Sequence, residues 1–169
     1  MLKIGRLLKS SDGILSLELL LTIFFLSLAL VGFLSVATFL LGATVLSGQQ
    51  ARAENLATAQ MEALRSFRDG TTWLTNGLGN VTSGTAYYLK KTIDNPPAWS
   101  LVPGEEAVSG FSRKVVFSDV YRDNATDNIV SSSGVYDSET KKAIVTVSWG
   151  ERGRTHQVSL VTYFTNWKQ

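Results

Sequence analysis

Residues 19–48 of this chain contain no charged side chain, and most of them are leucine, phenylalanine, valine, isoleucine or alanine. As a helix, thirty residues span about 45 Å, against roughly 30 Å for the hydrocarbon core of a bilayer. The segment is long enough to cross a membrane and protrude from it. A helix that is apolar all round is either buried in a large core or spans a bilayer. A chain of 169 residues has little else with which to surround it. The residue just before the run is Glu18. A carboxylate there is costly in lipid, so it needs either water at the headgroup level or a partner.

Residues 1–13 hold Lys3, Arg6 and Lys9 against one acid, Asp12. Basic residues on this flank predict an N-terminus on the cytoplasmic side and the bulk of the chain outside. A secretory signal has an apolar core of about 7–15 residues, roughly half the length seen here. Ala51-Arg52-Ala53 has small-residue spacing, but the sequence around it continues as helix. The plain alternative is an uncleaved signal anchor with an outer binding domain. Removing residues 1–13 would take the basic count from 16 to 13 and the acidic count from 14 to 13, leaving no formal net charge. The pI of about 8.9 therefore belongs largely to the leader, and no nucleic-acid partner is expected. With no cysteine, neither a disulfide framework nor a thiolate metal site is open to the chain.

The order basic leader, Gly13, Ile14, Leu15-Ser16-Leu17, Glu18, Leu19-Leu20-Leu21 resembles the class III signal of type IV prepilins and pseudopilins. The resemblance covers residues 1 to 70; beyond them it is one of layout. It implies cleavage after Gly13 by a prepilin peptidase, N-methylation of the new terminus Ile14, and a subunit-assembly role for Glu18. In that family the glutamate pairs with the amino terminus of a neighbouring subunit. The family most often has phenylalanine where this chain has Ile14, and a proline further along where it has Gly32 and Ser35. Major pilins often carry a disulfide near the C-terminus, so a minor pilin or minor pseudopilin is the nearer likeness. The partners implied are the peptidase, other pilin or pseudopilin subunits, an inner-membrane assembly platform and membrane lipid. The implied location is single-pass in the cytoplasmic (inner) membrane, N-terminus inside, then a cell-surface or periplasmic filament after assembly.

The expected divisions are a leader over 1–13, a transmembrane or filament-core helix over 14–48, an amphipathic continuation over 49–70, and a loop-rich region with a sheet over 71–169. Good helix formers dominate from Gln49 until Gly70, a plausible stop. Leu56, Ala59, Ala63 and Phe67, with Leu64 beside them, recur at helical spacing and predict one apolar stripe. Residues 70–110 contain six glycines and all three prolines, so only brief strands are expected there, at Tyr87-Tyr88-Leu89 and Trp99-Ser100-Leu101-Val102. Residues 111–122 alternate as a strand, with Val115, Phe117 and Tyr121 on one face. Residues 143–149 and 157–164 read as a hairpin across Gly150-Glu151-Arg152-Gly153, with Val145, Val147 and Trp149 facing the core. The fold class expected is α+β: a long N-terminal α-helix, transmembrane in its first half, packed on a C-terminal antiparallel β-sheet. This is the pilin-like layout.

No catalytic constellation can be assembled, and neither enzyme activity nor a cofactor is expected. His156 is the only histidine and reads as an exposed strand residue. Asp119, Asp123 and Asp127 form no recognisable pair or triad. Asp123, Asn124, Asp127 and Asn128 could offer oxygen ligands to calcium, but their spacing is that of a solvated turn. Asn80-Val81-Thr82 and Asn124-Ala125-Thr126 match the N-glycosylation pattern, a frequent chance occurrence.

Overall fold

A computed structural model describes residues 11–131 and 133–167, and of residues 11–14 the backbone alone. The chain divides into two units, Met1–Gly48 and Gln49–Gln169. One helix, α1 (Ser11–Gly70), runs through the end of the first and opens the second. The described part of the first unit is entirely helical, and no break occurs at Gly32 or Ser35.

The second unit is helix on sheet. The strands are β1 (Ala86–Lys91), β2 (Trp99–Pro103), β3 (Glu106–Val108), β4 (Phe111–Arg122), β5 (Ile129–Val130), β6 (Val135–Glu151) and β7 (Arg154–Thr165). All pairings are antiparallel, in the order β2-β1-β4-β6-β7. On the side of β4 away from β6, the short β3 and β5 pair beyond either end of β1. The two brief strands expected in the loop-rich region are β1 and β2. The β6–β7 hairpin closes through Arg152 and Gly153 at φ 49° and 76°, the two positive values that a tight type I′ turn requires.

The helix face that covers the sheet differs from the expected stripe. Ala53, Ala57, Gln60, Met61, Ala63, Leu64 and Phe67 are buried, whereas Leu56 is half-buried and Ala59 exposed. Ala53 and Ala57, at zero exposure, belong to this face together with the bulkier Met61, Leu64 and Phe67. From the sheet come Val115, Phe117, Val145, Val147, Trp149 and Phe164. Tyr121 does not join them. The β4–β6 register shifts between Asp119 and Val120: Asp119 opposes Lys141, but Val120 opposes Asp137. The shift turns Val120 inward, 3% exposed, and leaves Tyr121 outside at 40%. Residues 138–140 of β6 have no partner on β4. The loop after α1 packs here: the Trp73 indole donates to the Ser138 carbonyl at 3.1 Å, and only a glycine at position 79 leaves room for that ring.

Candidate functional site

The residues singled out at the N-terminus lie along one helix. Gly13 and Ile14 have helical backbone, and their side chains lie outside the described residues. Glu18 is one turn beyond Ile14 on the same face. Its carboxylate is exposed and makes no ion pair among the described residues. From Leu15 to Val45 the large apolar side chains are exposed as well: Leu20 at 65%, Phe33 at 70% and Phe39 at 73%. Five hydroxyls in this stretch are turned back onto the helix. Thr22 donates to the Leu19 carbonyl, Ser27 to Phe24, Ser35 to Val31, Thr38 to Ser35 and Thr44 to Leu40, all at 2.8–2.9 Å. Polar groups satisfied within the segment remove much of the cost of placing them in hydrocarbon. The described part of the first unit is thus one helix, apolar and long enough from Leu15 onward to cross a membrane, with Glu18 the one carboxylate between Leu15 and Gly48.

Two clusters of polar side chains in the second unit sit at the register shift. Lys141, 4% exposed, reaches the Asp119 carboxylate at 2.5 Å and the Tyr136 hydroxyl at 3.4 Å. The hydrogen bond from Lys141 holds the Asp119 carboxyl below its ordinary range. Burial alone would lower the Lys141 ammonium, but the bonds to Asp119 and Tyr136 outweigh it and raise the group. Beside them the Arg122 Nε donates to Asp137 at 2.7 Å, its Nη1 to the Asp127 carbonyl at 2.9 Å, and its Nη2 to Thr140 at 3.4 Å. Burial would push Asp137 up; the Arg122 bond, with those from Thr140 and the Glu139 N–H, pulls it down.

These contacts explain the 123–128 loop. Asp123 Oδ1 accepts from the Ala125 N–H, the Thr126 N–H and the Thr126 hydroxyl at 2.8–3.0 Å. Asp127 adopts φ 58°, and its carbonyl is held by Arg122. The loop is a self-bonded turn with a guanidinium already at its base. Among the described residues no three of His, Asp and Glu gather as metal ligands. His156 differs from expectation: it is half-buried on the inward face, stacked on Trp149 with centroids 5.5 Å apart. Asn80 donates its amide to the Leu74 carbonyl and so fastens the loop after α1.

No family model, curated protein or solved structure matches the chain.

A groove of about 780 Å³ beside the end of α1 is lined by Phe67, Asn76, Asn80, Tyr87 and Trp99, with Lys91 over the Trp99 ring at 6.0 Å. The sequence offered no signal for it, because its walls come from α1, the following loop, β1 and β2.

Proposed function

We propose that the protein is a structural subunit of a type IV pilus or a type II secretion-like pseudopilus, most similar to the minor subunits. It enters the cytoplasmic membrane with its N-terminus inside and its sheet domain outside. A prepilin peptidase removes residues 1–13, Ile14 becomes the N-methylated terminus, and an assembly platform draws the subunit from lipid into the filament. The observation that carries this reading is the spacing of Gly13, Ile14 and Glu18 at the head of an exposed apolar helix.

The chemistry follows from desolvation. Cleavage leaves an ammonium on Ile14 at the edge of an apolar surround, where an unpaired charge is expensive. A neighbour's Glu18 neutralises it and is itself neutralised. The bilayer holds the monomer, and other helices replace lipid around the same apolar surface on assembly. Small residues such as Gly32 and Gly42 ease helix approach there.

The test has two parts. Intact-mass measurement on protein from a host with a prepilin peptidase should place the terminus at Ile14, one methyl heavier. A mature protein starting at Met1, or after Ala53, rejects the reading. Glu18→Leu should leave insertion and cleavage intact but cut recovery in sheared filaments by more than about a hundredfold, since breaking a buried pair costs about 3–5 kcal/mol.

A second reading, a signal-anchored binding domain that does not polymerise, is favoured by the groove beside α1. It predicts cleavage-independent function, no effect of Glu18→Leu, and loss of ligand binding on Trp99→Ala.

A further inference from the structure

The groove beside the end of α1 has a floor and a wall of different chemistry. The floor is the face of β1 and β2 that carries Tyr87, Lys91, Trp99 and Leu101, since Lys91 opposes Trp99 and Leu89 opposes Leu101. Tyr87 and Lys91 are four residues apart on β1, so this floor is about 13 Å long between them. The wall is the loop after α1, with Asn76 and Asn80. The volume of about 780 Å³ falls in the range of roughly 300–1,000 Å³ typical of ligand sites.

Both parts are fixed within the second unit. The Tyr87 ring meets the fully buried Phe117 ring edge-on, with centroids 5.9 Å apart. The loop is fastened by the Trp73 indole to Ser138 on β6, and by the Gly79 N–H to the Trp73 carbonyl at 2.9 Å. Walls already in place lower the ordering cost of binding.

The hydrogen-bonding capacity of this lining is only partly spent. Asn76 Oδ1 accepts from the Thr72 N–H at 2.8 Å, and Asn80 Nδ2 donates to the Leu74 carbonyl. The other half of each amide, Asn76 Nδ2 and Asn80 Oδ1, has no hydrogen-bond partner among the described residues. The Tyr87 hydroxyl accepts from the Thr82 N–H at 3.2 Å and keeps its own proton to donate. Lys91 holds its ammonium over the Trp99 ring and makes no ion pair among the described residues.

This combination narrows the ligand. No carboxylate lines the groove, so a hard metal ion has no charged ligand there. Lys91 is its one charged group, too few for a nucleic-acid backbone. A wholly apolar ligand would leave the amides buried and unpaired, which is costly. A sugar ring has apolar C–H groups on its faces and hydroxyls around its rim. It can lie on an aromatic ring while amides meet the rim. An acidic group on such a sugar would neutralise Lys91.

We propose that the groove binds a short acidic oligosaccharide. One sugar ring lies on Trp99, hydroxyls meet Asn76, Asn80 and the Tyr87 hydroxyl, and the acidic group faces Lys91. The site lies wholly in the second unit and uses none of Gly13, Ile14 and Glu18. It therefore stands or falls separately from assembly, whether the chain enters a filament or stays a single anchored molecule.

The test uses the full-length chain in phosphatidylcholine nanodiscs, which carry no sugar headgroups. It is presented to an array of short oligosaccharides, with uronic- and sialic-acid members beside neutral ones, and binders are titrated by calorimetry. An acidic member should bind, and its neutral counterpart more weakly. Trp99→Ala should weaken that binder by about tenfold or more, and Trp99→Phe by much less, because a phenyl ring keeps an apolar face. Lys91→Met should weaken the acidic binder by about three- to fivefold and leave the neutral one unchanged, the size of an exposed charge pair. Melting temperatures should match wild type. Folded wild type that binds no acidic member overturns the inference. So does binding that survives Trp99→Ala unchanged, or that shows no preference for the acid. If Trp99→Ala fails to fold, an acid preference unchanged in Lys91→Met overturns it instead. Proline-rich peptides bound in place of any sugar assign the groove to a protein partner and reject it.

Discussion

The two halves of α1 invert the usual relation between hydrophobicity and burial. Residues 15–45 are the most apolar stretch of the chain, and nearly all of their side chains are exposed. Residues 49–70 are mixed and largely polar, yet seven of them are buried at or below 7% exposure. The second half meets its sheet within the same chain and needs only a narrow face of alanine, Gln60, Met61, Leu64 and Phe67. The first half is apolar all round, which suits a surround that is apolar all round: lipid, or other helices. A helix thus declares the partner it is built for by the width of its apolar surface.

Four changes test that contrast, from the largest expected effect to the smallest. Trp149→Ala or Phe117→Ala empties a buried aromatic site on the sheet and should destabilise the second unit by about 3–5 kcal/mol. Chemical denaturation followed by tryptophan fluorescence or circular dichroism measures it. An unchanged midpoint for Phe117→Ala would refute its place in the core.

Leu30→Arg, in the exposed half, should do the reverse. It should weaken membrane insertion by about 2.5–3.5 kcal/mol while leaving the melting temperature of the second unit unchanged. Carbonate extraction and thermal denaturation, run on the same preparation, separate the two. A fall in melting temperature would mean that the halves are not independent.

Asp119, Asp137 and Lys141 give the second unit a pH response at both ends of the scale. The carboxyls of Asp119 and Asp137 are lowered from 3.8, so the stability they add is complete above that value and is lost as pH falls through their lower folded values. Lys141 is raised from 10.5, so its contribution is complete below that value and disappears as pH climbs past its higher folded value. Lys141→Met should remove the alkaline loss and cost about 1–3 kcal/mol at neutral pH, since Asp119 is one-third exposed and regains water. Melting temperature against pH for wild type and variant checks both signs.

The smallest effect is expected on the outward face of 49–70. Glu62 and Arg65 pair one turn apart with both side chains at least half exposed. Glu62→Ala should change stability by no more than about 0.5 kcal/mol. A larger loss would place that face against something.

Much of this architecture was legible because it rests on local chemistry. Thirty uncharged residues can only be a span or a buried helix, whatever follows them. The alternation in 111–122 and 143–149, a turn within Gly150-Glu151-Arg152-Gly153 (narrowed by the structure to its last two residues) and the stop at Gly70 each reflect backbone preferences that act over a few residues. The spacing of Gly13, Ile14 and Glu18 is likewise a property of the linear chain. Tertiary contacts decided the rest. Ala53 and Ala57 carry little hydrophobic signal, so only the approach of the sheet distinguishes their side of the helix from that of Ala59. Period-two alternation assigns Tyr121 to the core, and nothing within β4 reveals the shift at Asp119. That shift is made by β6, whose residues 138–140 have no partner on β4 and whose Ser138 carbonyl accepts from Trp73, and it turns Val120 inward. The same irregularity brings Lys141 to Asp119 and Arg122 to Asp137, pairs whose members lie 22 and 15 residues apart. A charge on a strand reads as solvated until its cross-strand partner is known, because burial becomes tolerable only when the two meet.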